Sequence, residues 1–380
     1  MRVLAVAVPA AGHVNPLLPL VDALVAQGDE VVVAAGEDPG GAIARTGATH
    51  VVAGGTELRW IEALRARVRG FPGDGLAPER INHYFVPRVF ADIAAVDMID
   101  DVVACARRFA PDLVMFETYA FAGPLAAAII DAPPVHHLIS PMLPHDVMEL
   151  VNDALSPLWR SFDLHVPGYG GIYQGLTIEV APPSLEPLSV PAGERIGLRP
   201  APAPLRPAEP SEPPLVYVTL GTFFGGNTEV FGAVLEGLTG ENVEVVVTVG
   251  ADNDPSLLGP VPGNVRVERY IPQAELLPGC SVVIHHGGSG TMFGALAHGV
   301  PQVVIPQGAD NFVNGEHVER CGVGLAILPA DLNPDEVRRC VRAVLGDAAF
   351  TTKAAELARE VAAMPDANEV ARELADRFGR

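Results

Sequence analysis

The chain has 380 residues, 49% of them apolar, with a formal charge of −21 and a pI near 4.8. That length favours two domains over one, and the acidic balance argues against a polyanion-binding surface, so neither nucleic acid nor an anionic membrane is expected as a partner. The single lysine, Lys353, lies in a late helical stretch, which leaves Schiff-base chemistry and a P-loop lysine almost without a candidate.

Residues 2–8 are a continuous apolar run that reads as a strand, followed by the turn Pro9-Ala10-Ala11-Gly12-His13. Asn15 is expected to cap a helix with Pro16 at its first position, and Gly28 to end it. A strand over 30–35 completes a βαβ opening. The pattern recurs, with strands at 49–53, 111–116 and 134–139 and helices near 89–109 and 122–130. The stretches 54–90 and 140–173 read as irregular. The run 200–214 carries a proline every two or three residues and is expected to be a semi-rigid extended linker. Beyond it, strands at 215–220, 243–249, 265–269, 282–284, 302–305 and 324–327 restart the alternation, and Asn333-Pro334 caps a further helix. Such alternation predicts parallel sheets with helices on both faces, in two Rossmann-like domains.

The four cysteines, Cys105, Cys280, Cys321 and Cys340, form no metal-binding spacing and read as reduced thiols of a cytoplasmic protein. No apolar run is long enough for a transmembrane helix, and His13, Asn15 and Asp22 interrupt what could otherwise pass for a signal peptide.

The densest chemistry lies in 281–314. A short strand leads into His285-His286-Gly287-Gly288-Ser289-Gly290-Thr291, which opens a helix; Gly299 is placed to end it and Pro301 to stop it. A glycine-rich helix start offers free N–H groups and the positive end of the helix dipole, so it suits a phosphate. Asp310 follows the next strand on the same sheet edge, where it could accept bonds from ligand hydroxyls. A diphosphate site beside a hydroxyl reader suggests a nucleotide sugar.

This segment resembles the donor-binding signature of GT-B nucleotide-sugar glycosyltransferases, especially the bacterial antibiotic-tailoring branch. The matching residues are His285, His286, Gly287, Gly290, Thr291, Gly299-Val300-Pro301, Pro306, Asp310 and Asn314, with Asn311 where the family usually carries Gln. The resemblance implies an α/β GT-B fold, two Rossmann-like domains facing a cleft. Residues 1–199 would be the acceptor-binding domain, 200–214 the linker, 215–365 the nucleotide-sugar-binding domain, and 366–380 a helix crossing back to the first domain. It implies inverting transfer of a sugar or deoxysugar from a dTDP- or UDP-sugar to a lipophilic natural product, with the aromatics of the irregular stretches, among them Trp60, Phe71, Phe90 and Trp159, forming either local core or an apolar acceptor pocket.

Gly12-His13 matches the family's catalytic base, and histidine titrates in the right range for one. The family orients it with an Asp after a later strand; here that strand leads to Glu117, which either completes the pair with altered geometry or is a solvated strand end. The donor set implied is Gly12, Gly221 and Thr222 near the diphosphate, Tyr270, Ile271 and Gln273 at the base, His286, Gly288, Ser289, Gly290 and Thr291 on the diphosphate, and Asp310 with Asn311 on the sugar. Tyr270 could equally be core, and His285 is expected to be a structural neighbour. No cofactor and no metal are implied; Asp252-Asn253-Asp254 has the look of a metal-binding Asp-x-Asp but reads better as a solvated turn. A homodimer or an activator protein is left open as a partner. A GT-B nucleotide-sugar epimerase and a non-catalytic accessory homologue are the rival readings.

Overall fold

Parallel strands buried on both faces require near-continuous apolar runs, and the valine- and alanine-rich segments of this chain supply them. The computed structural model describes residues 1–67, 80–185, 193–200, 211–221, 224–251, 253–308 and 310–379. Among these, the strands form two sheets in which every pairing is parallel. The first holds β1 (Arg2–Val6), β2 (Glu30–Ala35), β3 (Thr49–Val52), β4 (Leu113–Glu117), β5 (Pro134–His137), β6 (Leu176–Glu179) and β7 (Arg195–Gly197), in the order β3-β2-β1-β4-β5-β6-β7. The second holds β8 (Leu215–Thr219), β9 (Glu244–Thr248), β10 (Val265–Glu268), β11 (Val282–His285), β12 (Gln302–Val304) and β13 (Gly324–Ala326), in the order β10-β9-β8-β11-β12-β13.

The two orders share one consequence. The chain leaves its first strand in one direction and later returns to that strand's other side, so each sheet has a switch point, at β1/β4 and at β8/β11. Crevices at the carboxyl ends of such strand pairs are where doubly wound folds bind ligands. His13 follows β1 and Glu117 ends β4; Gly221 follows β8 and His286 follows β11.

The chain divides into two compact units, one of Met1–Val180, Ser189–Leu198 and Pro365–Arg380, the other of Ala181–Leu188 and Arg199–Met364. The stretch Ala181–Leu188, expected with the first domain, groups with the second unit. There Glu360 accepts the Ser184 N–H and hydroxyl at 3.1 and 2.6 Å, and Arg320 donates to the Leu185 carbonyl. The last helix, Ala367–Phe378, groups with the first unit and packs on helix Leu18–Ala26. Gln27 Nε2 donates to the Ala371 carbonyl at 3.0 Å, and Arg377 pairs with Glu194 at 2.7 Å. Most of the linker, 201–210, lies outside the described residues.

Two expectations about the first unit are corrected. Asn15 is not an N-cap: it is αR, at φ −56° and ψ −38°, and the helical path already begins at Ala11 behind the extended Ala10. Pro16 and Pro19 remove two N–H donors from that path, so it forms three short pieces, Ala11–Val14, a 3₁₀ turn Asn15–Leu17, and Leu18–Ala26. Nor are the described residues of 54–90 and 140–173 mainly irregular. They contain helices Glu57–Arg67, Ile81–Phe85, a π-helical stretch Val86–Ala94, and His145–Arg160. The last of these buries Val147, Met148, Val151, Leu155 and Trp159, a spacing that puts one apolar stripe on the core. Trp60 and Trp159 are therefore core residues; Trp60 also donates its indole N–H to Asp97 at 2.8 Å.

Candidate active site

In the first unit, helical geometry begins so soon after β1 that His13 stands in the first turn, with Gly12 exposed beside it. The His13 side chain is 16% exposed, and its Nδ1 lies 3.3 Å from Glu117 Oε1. Glu117 is fully buried, so it is no solvated strand end. A buried carboxylate needs donors, and two backbone groups provide them: Val8 N–H reaches Oε1 at 3.1 Å and Tyr119 N–H reaches Oε2 at 2.9 Å. The carboxylate is thus fixed from both sides before it meets the imidazole. The His13 ring also contacts Phe90 and Tyr119, at centroid distances of 5.6 and 5.1 Å. Phe90 lies on the π-helical stretch, so the ring is walled by aromatic surface. Thr118 points elsewhere: its Oγ1 is 3.2 Å from Nε2 of the buried His136. Phe71 lies outside the described residues.

In the second unit the two adjacent histidines divide their roles by strand alternation. His285, the last residue of β11, is fully buried; Nε2 lies 2.8 Å from Gln302 Oε1 and Nδ1 accepts the Gly287 N–H at 3.1 Å. Burial pushes its pKa down to about 3, with the neighbouring His286 adding to the shift. His286 faces the turn. Its ring fills the space beside Gly221 and Gly288, where a Cβ on either glycine would collide with it, and Phe224 packs at a centroid distance of 5.9 Å. Burial lowers its pKa to about 4, against a hydrogen bond with the Thr219 backbone. It is therefore a neutral ring at physiological pH, and its single N–H is engaged by the Thr219 backbone.

Helix Ser289–Ala297 begins at Gly288, which offers no side chain to cap it. The Thr291 N–H bonds the Gly288 carbonyl at 3.1 Å, which leaves the first-turn N–H groups of Ser289 and Gly290 without a partner within the helix, beside His286. Gly290 is exposed with open space around it. Ser289 Oγ donates to Asp310 Oδ2 at 2.8 Å. Asn314 braces this corner: its Nδ2 reaches the Gly287 carbonyl at 2.7 Å, Ser289 Oγ at 3.0 Å and Asp310 Oδ2 at 3.3 Å. That bracing was not expected, although Asp310 and Asn314 are four residues apart at the start of helix Asn311–Arg320 and so share a face. Asn311 is 3% exposed, pressed against Gly287, with its amide 3.4 Å from Asp310 Oδ1.

Tyr270 is 65% exposed, which excludes the core alternative. Ile271 is half-buried beside it. Gln273 opens the short helix Gln273–Leu276 and donates to Thr291 Oγ1 at 3.0 Å. Gly221 sits at φ +69°, a left-handed conformation that favours glycine. Thr222 and Asp252 lie outside the described residues. Asp254 caps a 3₁₀ turn by accepting the Ser256 N–H at 2.8 Å.

Two family models match the chain: the erythromycin biosynthesis protein CIII-like N-terminal domain over 82–190 and the C-terminal domain over 232–376. The chain is 31% identical to the aclacinomycin-T 2-deoxy-L-fucose transferase of Streptomyces galilaeus, across 97% of this chain and 94% of that protein. It is 32% identical to the elloramycin glycosyltransferase of Streptomyces olivaceus, across 100% and 98%. It belongs to the bacterial natural-product glycosyltransferases.

The structure of this glycosyltransferase is correspondingly GT-B, with two parallel-sheet Rossmann-like units. A Streptomyces sp. SF2575 glycosyltransferase complexed with thymidine diphosphate matches it with a TM-score of 0.76 at 27% identity, covering 99% of each chain. No helix among the described residues of this glycosyltransferase is long and apolar enough to cross a membrane.

Proposed function

We propose that this enzyme is an inverting transferase that moves a sugar or deoxysugar from a dTDP- or UDP-sugar to a lipophilic natural-product acceptor. The observation that carries the reading is the His13–Glu117 approach at 3.3 Å, with the carboxylate held by two backbone N–H groups. A proton on Nδ1 facing that carboxylate leaves Nε2 with its lone pair. The acceptor O–H then gives its proton to Nε2, the acceptor oxygen bonds the anomeric carbon, and the bond from that carbon to the diphosphate oxygen breaks with its electron pair leaving on the diphosphate. Attack opposite the leaving group inverts the anomeric centre.

The departing charge falls to the second unit. The Ser289 and Gly290 N–H groups of the first helical turn, with the Thr291 hydroxyl beside them, are oriented before the reaction, which is what electrostatic stabilisation of a leaving group requires; the single N–H of neutral His286 joins them by turning from the Thr219 backbone to the diphosphate. Asp310 takes sugar hydroxyls, and exposed Tyr270 stacks on the base with Ile271 and Gln273 beside it. The thymidine diphosphate bound by the related SF2575 enzyme supports a dTDP donor. The reading is metal-independent, supported by the commitment of Asp254 to capping a turn.

The test is product analysis with dTDP- and UDP-sugars, with and without a panel of lipophilic acceptors, in excess chelator. Acceptor-dependent glycoside of inverted configuration is expected. Sugar isomerisation without acceptor would move the assignment to an epimerase, and loss of turnover restored by manganese would overturn the metal-free mechanism.

A further inference from the structure

Beneath the donor-site turns lies a buried polar chain that the proposed chemistry leaves unused. Thr248 of β9, Thr219 of β8 and His285 of β11 are register partners, so they form one row on one face of the sheet. Thr248 Oγ1 donates to Thr219 Oγ1 at 3.1 Å. That uses its one proton, so the Tyr217 phenol, 2.9 Å away, is the donor to Thr248. The phenol also has the Thr219 and Gln273 side chains as hydrogen-bond partners. Gln273 in turn donates to Thr291 Oγ1, in the first turn of helix Ser289–Ala297. At the chain's other end, Thr219 Oγ1 accepts the Gly221 N–H at 3.3 Å, and the Thr219 backbone bonds His286.

Tyr217 and Thr248 are buried, so they touch no ligand themselves. Apolar side chains would fill their places without any demand for partners. What the polar chain adds is a physical link between two turns that follow different strands, the one at Gly221 after β8 and the one at His286 after β11. A site that binds one diphosphate from both turns needs them held to within about half an ångström of each other.

We propose that Tyr217 and Thr248 are positioning residues for the donor diphosphate, acting through Thr219 and Gln273 to hold the Gly221 turn, the His286 ring and the start of helix Ser289–Ala297 in one fixed arrangement. The proposal rests on the reading of this unit as the nucleotide-sugar site.

Tyr217→Phe and Thr248→Val each remove one hydroxyl at nearly constant volume, and Thr248→Ser keeps it. Calorimetric Kd values for dTDP and UDP are measured for all three and for the unaltered enzyme, alongside the Tm of each without nucleotide. The Kd is expected to rise about fivefold to tenfold in Tyr217→Phe and Thr248→Val and to stay within about twofold in Thr248→Ser. A lower Tm with unchanged Kd means a purely structural role and overturns the proposal. If Thr248→Val does not fold, Tyr217→Phe decides alone, and an unaltered Kd there is enough to reject it. If the unaltered enzyme binds neither nucleotide, the donor-site reading itself fails and takes this proposal with it.

Discussion

The imidazole of His286 and a side chain at position 221 would claim the same space: a Cβ on Gly221 would stand 2.5 Å from Cε1 of His286. The turn after β8 therefore has to be glycine for the ring after β11 to face the helix start. Gly288 is under the same constraint from the other side, its Cβ direction also running into the ring.

Gly221→Ala and Gly288→Ala should each displace His286 and remove a donor from the diphosphate. Gly221→Ala is additionally strained by its φ of +69°, which costs an alanine about 1–2 kcal/mol. Nucleotide affinity should fall about tenfold or more, since a hydrogen bond to a charged group contributes about 1.5–3 kcal/mol. Thermal shift with dTDP measures it; an undiminished shift in both variants would show that His286 does not hold the diphosphate.

His13→Ala should lower transfer about 10²–10⁴-fold, the usual loss on removing a general base, while leaving the dTDP-induced shift in melting temperature intact. Glu117→Gln should behave differently. Its amide can accept from only one of the Val8 and Tyr119 N–H groups, and turns an NH₂ toward the other. A buried N–H left without an acceptor costs about 1–3 kcal/mol, so Tm should fall together with turnover. Glu117→Gln with unchanged Tm would contradict the buried carboxylate described here.

Asp310→Ala should weaken binding of the nucleotide sugar more than that of the bare nucleotide. It should not leave the bare nucleotide untouched, because Asp310 also holds Ser289 Oγ and Asn314. Asn314→Ala removes the brace on the Gly287 carbonyl and should lower affinity for both. Paired titrations with dTDP and a dTDP-sugar separate the two; identical ratios in the two variants would argue against Asp310 as the sugar reader.

Five histidines are held neutral by burial: His136 and His285 at about 3, and His137, His286 and His317 at about 4. Unfolded, each would titrate near 6.5. Between those values the unfolded chain binds protons that the folded chain refuses, so stability falls as pH falls from 6.5 toward 4. Thermal melts at pH 7.5, 6.0 and 5.0 should give steadily lower Tm values, and a His317→Asn variant should show a shallower slope. A Tm constant across that range would mean these rings are protonated in the fold.

The parallel sheets were legible because strands buried on both faces leave an unbroken apolar signature, as at 2–8 and 282–284. Asn333 was legible for a local reason: its side chain caps the Glu336 N–H three residues on. Asn15 looked the same but was not a cap, since the chain had already turned helical behind Ala10. The environment of Glu117 could not be read at all. One of its two N–H partners, Val8, lies 109 residues away in sequence and arrives only through the pairing of β4 with β1. The Tyr217–Thr248 contact is hidden in the same way, because it depends on the register of β8 against β9.

The way the chain is shared between its units sets the cut points for exchanging parts with relatives. A donor module taken from another enzyme of this kind would need to bring its equivalent of Ala181–Leu188, since Glu360 and Arg320 grip that stretch from within the second unit. It would have to end near Met364 and leave the final helix behind, because Ala367–Phe378 is bonded to Gln27 and Glu194 of the recipient. A splice at the proline-rich run alone would sever the first grip and carry away the second, so a one-junction hybrid starts with both of its parts incomplete.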